Sequence, residues 1–358
     1  MTSVHRAIGL AGLACTAFAG LSPSRAAEPP APASCEPHKG LSFVCGPASV
    51  EDLVPLEGTP WLIGSGLAEG NVAGRLHLID TRGKRWQVGW PQPAGARGAP
   101  DKAAFADCAS MPDVEKFSAH GLSVRRVSSG HYRLVAVNHG GREAVEFFDV
   151  DATQATPAIT WKGCVRMPAD AYVNSVVLLP NGGLLATKFY AQGGNGIAAI
   201  QTGNVTGGVL EWSPGAAVRE IPGTGLNGAN GIEQSEDGKV IYVAEWGKRR
   251  VVRFDRHGAQ LKTDAVSLDF NPDNLRWGPN GVLLAAGQRL GRNGNGPGFA
   301  LDGWEVATLT PATLAVSPLW SGDKTHVMQG VSVGVIVDGT LWVGPFRGDR
   351  IGYVAVGR

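Results

Sequence analysis

The sequence predicts an all-β fold, a six-bladed β-propeller whose N- and C-terminal strands close one blade. Three observations lead to this prediction. The chain has 51 glycines and 23 prolines in 358 residues without a collagen period, which indicates many tight turns between short strands. Hydrophobic residues make up 43% of the chain, enough for a large core. A loose internal repeat of strand pairs recurs six times.

Each repeat has an apolar strand, a polar or glycine-bearing turn, and a second strand. The copies are spaced by roughly 40 to 75 residues, which fits four-stranded blades with inserted loops. The first strands begin at Thr59, Tyr132, Gly183, Val240, Gly281 and Thr340. The second strands begin at Gly74, Ala144, Gly208, Arg250, Glu305 and Arg350. A pair of β-sandwiches is the alternative fold, and it would lack this recurrent order.

The chain ends are expected to meet. A ring of blades leaves no long unpaired edge when its two ends share a blade. Residues 42–54 can therefore supply a strand to the last blade, beside residues 350–356. Helical periodicity is weak, and the one helix predicted is short, over residues 113–117.

The N-terminus has the pattern of an export signal. His5 and Arg6 precede an apolar run over residues 7–21, and Ser24 and Ala26 suit cleavage after Ala26. We therefore expect a signal peptide over 1–26, a flexible lead-in over 27–40 and the propeller over 41–358. The apolar run is short for a membrane span. The sequence thus predicts a secreted or periplasmic protein with a bacterial-type signal and no stable membrane anchor.

Four cysteines follow the predicted signal, at positions 35, 45, 108 and 164. An even number in an exported chain indicates disulfides, and three connectivities are possible. The preferred pairing is Cys35–Cys45 with Cys108–Cys164, because the first two are sequence neighbours that could clip the N-terminal segment. Their spacings do not resemble a zinc site.

Charge and motifs exclude several functions. Charged residues are 18% of the chain and the net charge is +1, so no basic stripe is available for nucleic acid. There is no Gly-x-Ser-x-Gly nucleophile motif. A glycine-rich stretch over residues 287–296 lacks the Lys-Ser/Thr of a phosphate-binding loop.

The candidate metal-binding residues are expected on the innermost strands. Polar residues stand at equivalent points near the start of successive inner strands, so they should converge on the central channel. These residues are Glu51, Asn174, Asn230, Asp273 and Asn274. Any one of these residues alone would be interpreted as part of a turn or of a solvent-exposed surface. Together they offer hard oxygen donors, which suit calcium with its six to eight ligands. The sequence therefore predicts a calcium site in the channel.

Two histidines are expected to lie beside this site. His120 starts one inner strand, and His139 ends the next strand. In an antiparallel pair the start of one strand is near the end of its neighbour. One imidazole could then take a proton from water while the other orients it or relays the proton.

At these residues the sequence resembles the paraoxonase/arylesterase family, within the group that contains gluconolactonases and strictosidine-synthase-like proteins. The matching segments run almost from Cys45 to the C-terminus. They are residues 50–54, 120–123, 137–139, 173–175, 229–232, 237–245 and 268–274.

The resemblance implies a six-bladed propeller with two calcium ions. By position, Glu51, Asn174, Asn230, Asp273 and Asn274 resemble the ligands of a catalytic calcium. Asp52 and the carbonyl of Leu122 resemble ligands of a deeper, structural calcium. His120 and His139 resemble the family's histidine pair. The implied activity is calcium-dependent hydrolysis of lactones or aryl esters, in which calcium polarises the carbonyl and histidine-activated water attacks it.

Three departures from the family pattern stand out. Ser175 occupies a position where the family has an acidic ligand of the structural calcium. The family's disulfide joins the chain ends, but no cysteine lies near Tyr353. A cleavable signal replaces the family's retained N-terminal helix. The alternative function is therefore a non-catalytic, calcium-stabilised propeller that binds a small ligand or a protein; a related sugar lactonase is a third possibility.

Overall fold

The predicted propeller is confirmed: the described strands form six four-stranded antiparallel sheets. The computed structural model describes residues 34–108, 110–193, 195–258, 260–292 and 299–357. The predicted signal peptide and residues 27–33 of the lead-in lie outside the described residues. Contacts divide the chain into Met1–Ser34 and Cys35–Arg358, and the second unit contains all the described strands.

Five sheets follow chain order from the channel outward. The first is β2 (Val50–Pro55), β3 (Trp61–Gly66), β4 (Leu76–Asp80) and β5 (Arg85–Trp90). The second is β6 (Ala119–Ser128), β7 (His131–Asn138), β8 (Ala144–Asp151) and β9 (Ala158–Arg166). The third is β10 (Ala171–Leu178), β11 (Leu184–Ala191), β12 (Gly208–Trp212) and β13 (Arg219–Glu220). The fourth is β14 (Ala229–Gln234), β15 (Val240–Glu245), β16 (Arg250–Asp255) and β17 (Lys262–Ser267). The fifth is β18 (Asn271–Trp277), β19 (Leu283–Arg292), β20 (Phe299–Leu309) and β21 (Val316–Asp323).

The sixth sheet combines both ends of the propeller. It contains β22 (Val331–Val337), β23 (Thr340–Pro345), β24 (Arg350–Ala355) and, on its outer edge, β1 (Ser42–Cys45). Ser42 pairs with Tyr353 and Cys45 with Arg350. The expected closure by strand pairing is therefore confirmed, and it needs no disulfide between the two chain ends.

The six inner strands form a closed ring. Contacts join β2 to β6, β6 to β10, β10 to β14, β14 to β18, β18 to β22, and β22 back to β2. Apolar side chains fill the space between neighbouring sheets rather than a single central core. Trp90 and Phe148, for example, pack between the first two sheets with ring centroids 5.1 Å apart. This placement leaves the axis to the polar residues of the inner strands.

Both disulfides of the preferred pairing are present. Cys35 bonds to Cys45, and Cys108 bonds to Cys164 on β9. The first ties the described part of the predicted lead-in to the closing strand. In the same segment, His38 exchanges backbone hydrogen bonds with Leu41.

The short helix predicted over residues 113–117 is wrong. The Asp113 carboxylate accepts the backbone N–H of Glu115, and the Asp113 carbonyl accepts that of Lys116. These bonds form a turn, because such local side-chain contacts compete with helix formation. The helices of the described segments are α1 (Gly196–Gln201) and three 3-10 turns, Ala106–Cys108, Trp246–Lys248 and Pro279–Gly281. None of these is long and apolar enough to span a bilayer.

Candidate active site

Regular pairing breaks at the same level in all six inner strands. In each case the break lies between the innermost strand and the strand that pairs with it in the same sheet. The residues within the breaks are Glu51, His120 and Gly121, Asn174 and Ser175, Asn230 and Gly231, Asp273 and Asn274, and Ser332. A bulge re-aims the side chains that it contains. Every predicted side-chain ligand except Asp52, which pairs with Ser65, lies within one of these irregular segments.

Two glycines let neighbouring inner strands approach closely at this level. A Cβ on Gly121 would lie 2.5 Å from the Cα of Ser175. A Cβ on Gly231 would lie 2.3 Å from the carbonyl oxygen of Asp273. Each glycine follows a predicted site residue, His120 or Asn230. These glycines therefore keep the ring narrow where the site residues converge.

The predicted calcium ligands present buried oxygens that lack partners. Glu51, Asn174, Asn230, Asp273 and Asn274 are all buried, at 1%, 4%, 3%, 7% and 1% exposed. Among the described residues, four of them carry an oxygen with no hydrogen-bond donor: Oε2 of Glu51 and Oδ1 of Asn174, Asn230 and Asn274. A buried, unpaired polar atom costs about 1–3 kcal/mol, so four together call for a ligand.

The carboxylates of the channel are strongly desolvated. Burial raises the pKa of Glu51 to about 7 and the pKa of Asp52 to about 7. Burial also raises the pKa of Asp273 well above its usual value. A divalent cation would relieve this cost by restoring a favourable partner for the charged forms.

The donor set fits calcium. Its ligands would be the carboxylates of Glu51 and Asp273 and three asparagine amides, all hard oxygen donors. Within the described segments, no group of three or more histidine, cysteine, aspartate or glutamate side chains is arranged to hold a metal ion. The mixed carboxylate and amide composition therefore favours calcium over zinc.

The two histidines lie in direct contact. Nδ1 of His120 is 2.7 Å from Nε2 of His139. Ala119 pairs with Asn138, so the start of β6 meets the end of β7 as antiparallel geometry requires. On its other side, Nε2 of His120 lies 3.5 Å from Oε1 of Glu51. Burial lowers the pKa of His120 to about 4 and lowers that of His139, so both rings are neutral near pH 7.

Glu143 completes a chain of three side chains that the sequence analysis missed. Its Oε2 lies 2.9 Å from Nδ1 of His139. Its Oε1 accepts the backbone N–H of Val173 at 2.7 Å, which fixes the carboxylate against β10. The local sequence offered little signal, because a spacing of four residues predicts adjacent side chains on a helix and no helix is expected at His139. Here both residues lie in the loop between β7 and β8.

Gln288 is a second residue that the sequence analysis missed. Its Nε2 donates to Oδ2 of Asp273 at 2.7 Å and to the carbonyl of Val331 at 2.9 Å. Its Oε1 accepts the indole N–H of Trp246 at 3.1 Å. Gln288 therefore orients the Asp273 carboxylate from β19, one strand outward from the channel.

Stacked aromatic rings border the histidine pair. Tyr172 stacks on His139 with centroids 4.3 Å apart, and Tyr190 stacks on Tyr172 at 4.6 Å. Phe189 and Trp246 pack beside them with Ile200 of α1. Burial raises the pKa of Tyr172, so its phenol stays protonated. This cluster gives the site an apolar wall.

The residues predicted for a deeper calcium have another partner. Nη2 of Arg276 donates both to Oδ2 of Asp52 and to the carbonyl of Leu122, the second at 3.0 Å. Asp52 Oδ2 also accepts the Leu122 N–H at 2.7 Å. Ser175 is fully buried, and among the described residues its hydroxyl has no partner.

The fold and site together define a class: a six-bladed propeller with a histidine pair beside an oxygen-lined channel. The sequence model of the family described as Arylesterase matches residues 66–293 of this chain. The chain therefore belongs to the arylesterase family, as the resemblance indicated.

One relative among the curated proteins is human serum paraoxonase/arylesterase 1. It is 26% identical over 172 residues, which cover 47% of this chain and 47% of the relative. The chain thus matches about half of the length of that protein.

Two solved structures share the fold. A luciferin-regenerating enzyme has 15% identity and a TM-score of 0.55, covering 89% of this chain and 96% of its own. A gluconolactonase from Xanthomonas campestris has 15% identity and a TM-score of 0.53, covering 88% of this chain and 89% of its own. At such identities the likeness concerns the fold alone.

Proposed function

We propose that this protein is a calcium-dependent hydrolase of lactones, aryl esters or both. The observation that carries the proposal is the contact between His120 and His139, 2.7 Å, next to a ring of buried oxygens without donors. A pure binding scaffold does not require this combination. Membership of the arylesterase family supports the same class of reaction.

Calcium would be held by Glu51, Asn174, Asn230, Asp273 and Asn274. When bound, the ion supplies Lewis-acid polarisation of the substrate carbonyl and a positive charge near the oxyanion that develops. The unpaired amide and carboxylate oxygens support this assignment, because the ion would satisfy each of them.

Glu143 sets the tautomers of the histidine pair. A carboxylate only accepts hydrogen bonds, so His139 must donate its Nδ1–H to Glu143. Nε2 of His139 is then an acceptor and receives the Nδ1–H of His120. This leaves a lone pair on Nε2 of His120, the nitrogen nearer the channel ligand Glu51. His120 is thereby prepared as a general base.

The chemical steps use this base. Nε2 of His120 removes a proton from water, and the water oxygen forms a bond to the carbonyl carbon. As the carbonyl re-forms, the bond from that carbon to the ring or aryl oxygen breaks. The imidazolium returns its proton to the leaving oxygen. His139 and Glu143 stabilise the imidazolium through the two hydrogen bonds behind it.

The aromatic wall supports an apolar substrate. Tyr172 and Tyr190 lie over His139 as a stack, with Phe189 and Trp246 beside them. Such surfaces bind aryl or alkyl groups and exclude water from the reacting atoms.

The two disulfides support an oxidising location. Disulfides persist in secreted and periplasmic proteins and are rare in the cytosol. We therefore propose that the protein acts after export, in the periplasm or outside the cell.

Glu143→Gln should lower kcat by about 10²–10⁴-fold with little change in KM. The glutamine can still accept the Val173 N–H, but its amide N–H would face His139. The tautomers would then reverse, and Nε2 of His120 would carry a proton instead of a lone pair. Steady-state kinetics on a lactone substrate measure this effect.

Two variants control for a structural effect of the Glu143 substitution. Glu143→Asp keeps an acceptor for His139 and should restore part of kcat, while Glu115→Gln changes an exposed carboxylate in the preceding loop and should leave kcat unchanged. Equal losses in Glu143→Gln and Glu143→Asp, with a lowered melting temperature, would argue against a role in setting the tautomers.

The function is tested by hydrolysis of a lactone panel and phenyl acetate by the mature protein. Turnover should vanish with excess EDTA and return with calcium. Turnover that resists EDTA would contradict the calcium assignment. If no substrate is hydrolysed while calcium raises the melting temperature, the protein is instead a calcium-stabilised binding propeller.

A further inference from the structure

We infer that the guanidinium of Arg276 takes the place of a second, deeper cation in the channel. The chain would then hold one calcium ion rather than two. The identity of the first ion rests on the proposed function, whereas the role of Arg276 rests on its own contacts.

Arg276 is buried in the channel and fully hydrogen-bonded. It lies on β18, two residues after Asn274, and is 4% exposed. Its guanidinium makes five hydrogen bonds to acceptors, which equals the number of N–H groups it carries. The acceptors are the carbonyls of Leu53, Leu122 and Leu275 and the carboxylates of Asp52 and Glu233.

These contacts use the oxygens that a deep cation would need. One nitrogen, Nη2, contacts both Oδ2 of Asp52 and the carbonyl of Leu122. The other oxygen of Asp52 accepts the Leu53 N–H at 2.8 Å. An ion bound to the same two oxygens would lie against a permanently charged guanidinium, and like charges at that distance repel strongly in a desolvated site.

Ser175 agrees with this exchange. Its buried hydroxyl is neutral, so the deep channel offers two carboxylates, Asp52 and Glu233, around one fixed positive charge. A carboxylate at position 175 would add the third negative charge that a divalent ion favours. Compared with a site that has a carboxylate at position 175 and no guanidinium, both Ser175 and Arg276 make this region less negative.

Arg276 also lies between the proposed calcium ligands and a cavity further along the channel. A cavity of about 770 Å³ opens from the other mouth of the propeller and is lined by the later residues of the inner strands. Its lining includes Leu122, Glu233 and Arg276 but none of the five residues proposed to hold the first calcium ion. The guanidinium therefore separates that cavity from the calcium-binding level.

The test counts calcium ions bound to the mature protein after chelation and reloading, by titration calorimetry and elemental analysis. Wild type should bind one equivalent, and Asp273→Ala should lose it. The double variant Ser175→Asp/Arg276→Gln should bind one equivalent more than wild type, because it frees Asp52 and Leu122 and adds a carboxylate. Ser175→Asp alone should gain none, since Arg276 remains in place.

Thermal unfolding in EDTA gives a second readout. Arg276→Gln should lower the melting temperature by roughly 10 °C, because it leaves Asp52 and Glu233 buried without a counterion. Calcium should restore much of this loss in the double variant. Arg133→Gln, which removes an exposed pair with Asp149, should change neither the melting temperature nor the ion count.

Three results would overturn the inference. They are two equivalents bound by wild type, an extra ion in Ser175→Asp alone, and a folded double variant that gains none. If the double variant fails to fold, the number of calcium ions bound by the wild-type protein still tests the inference. A wild type that binds no ion would contradict the proposed function, while a gain of one ion in the double variant would still support the role of Arg276.

Discussion

His120→Gln is expected to lower kcat/KM for lactone and aryl ester hydrolysis by a factor of about 10²–10⁴. Glutamine can occupy the volume of the imidazole and keep a hydrogen bond to His139, but its amide cannot take a proton from water. Calcium affinity and melting temperature should stay close to the wild-type values, because the proposed ligand oxygens are unchanged. Initial-rate kinetics with saturating calcium measure the loss.

The histidine pair also predicts non-additivity. Because Glu143 acts through His139 on His120, adding Glu143→Gln to His120→Gln should cost little further activity. His131→Gln, which changes an exposed residue at the start of β7, is the matched control and should be as active as wild type. A His120→Gln variant within twofold of wild type would show that the pair does not carry the chemistry.

Asp273→Asn is expected to have opposite effects with and without calcium. In EDTA the variant should melt higher than wild type by roughly 5 °C, because it removes a desolvated charge that no cation offsets. Its side-chain oxygen can still accept the N–H of Gln288, so the local contacts are kept. With calcium the variant should melt lower than wild type.

The loss with calcium follows from binding linkage. A 100-fold weaker affinity removes about 2.7 kcal/mol of stabilisation when calcium is well above both dissociation constants. Differential scanning calorimetry at several calcium concentrations separates the two effects. Asp269→Asn changes an exposed carboxylate just ahead of β18 and should behave as wild type in both conditions. Equal calcium-dependent shifts in Asp273→Asn and wild type would remove Asp273 from the ligand set.

Much of the fold could be predicted from short segments of sequence. Each strand pair is joined by a local turn, so apolar runs and turn residues define the six sheets within windows of a few dozen residues. The polar residues near the start of successive inner strands were selected in the same way, because a repeat places equivalent residues at one level of the channel. The helix over residues 113–117 was wrong because Asp113 makes a local turn that composition alone does not separate from a helix.

The channel interior depended on contacts between distant parts of the chain. Asp52 and Arg276 are 224 residues apart, and no local pattern relates them. Arg276 reaches Asp52 only because the ring of inner strands closes. Glu143 reaches His139 within the loop between β7 and β8, whose path the sequence does not predict. Repeats and spacing predict which residues face the channel axis, because the direction of a side chain follows from the local geometry of its strand. Which of them bond to one another depends on the closure of the ring, because only closure brings the first, second and fifth sheets together around a shared, desolvated space.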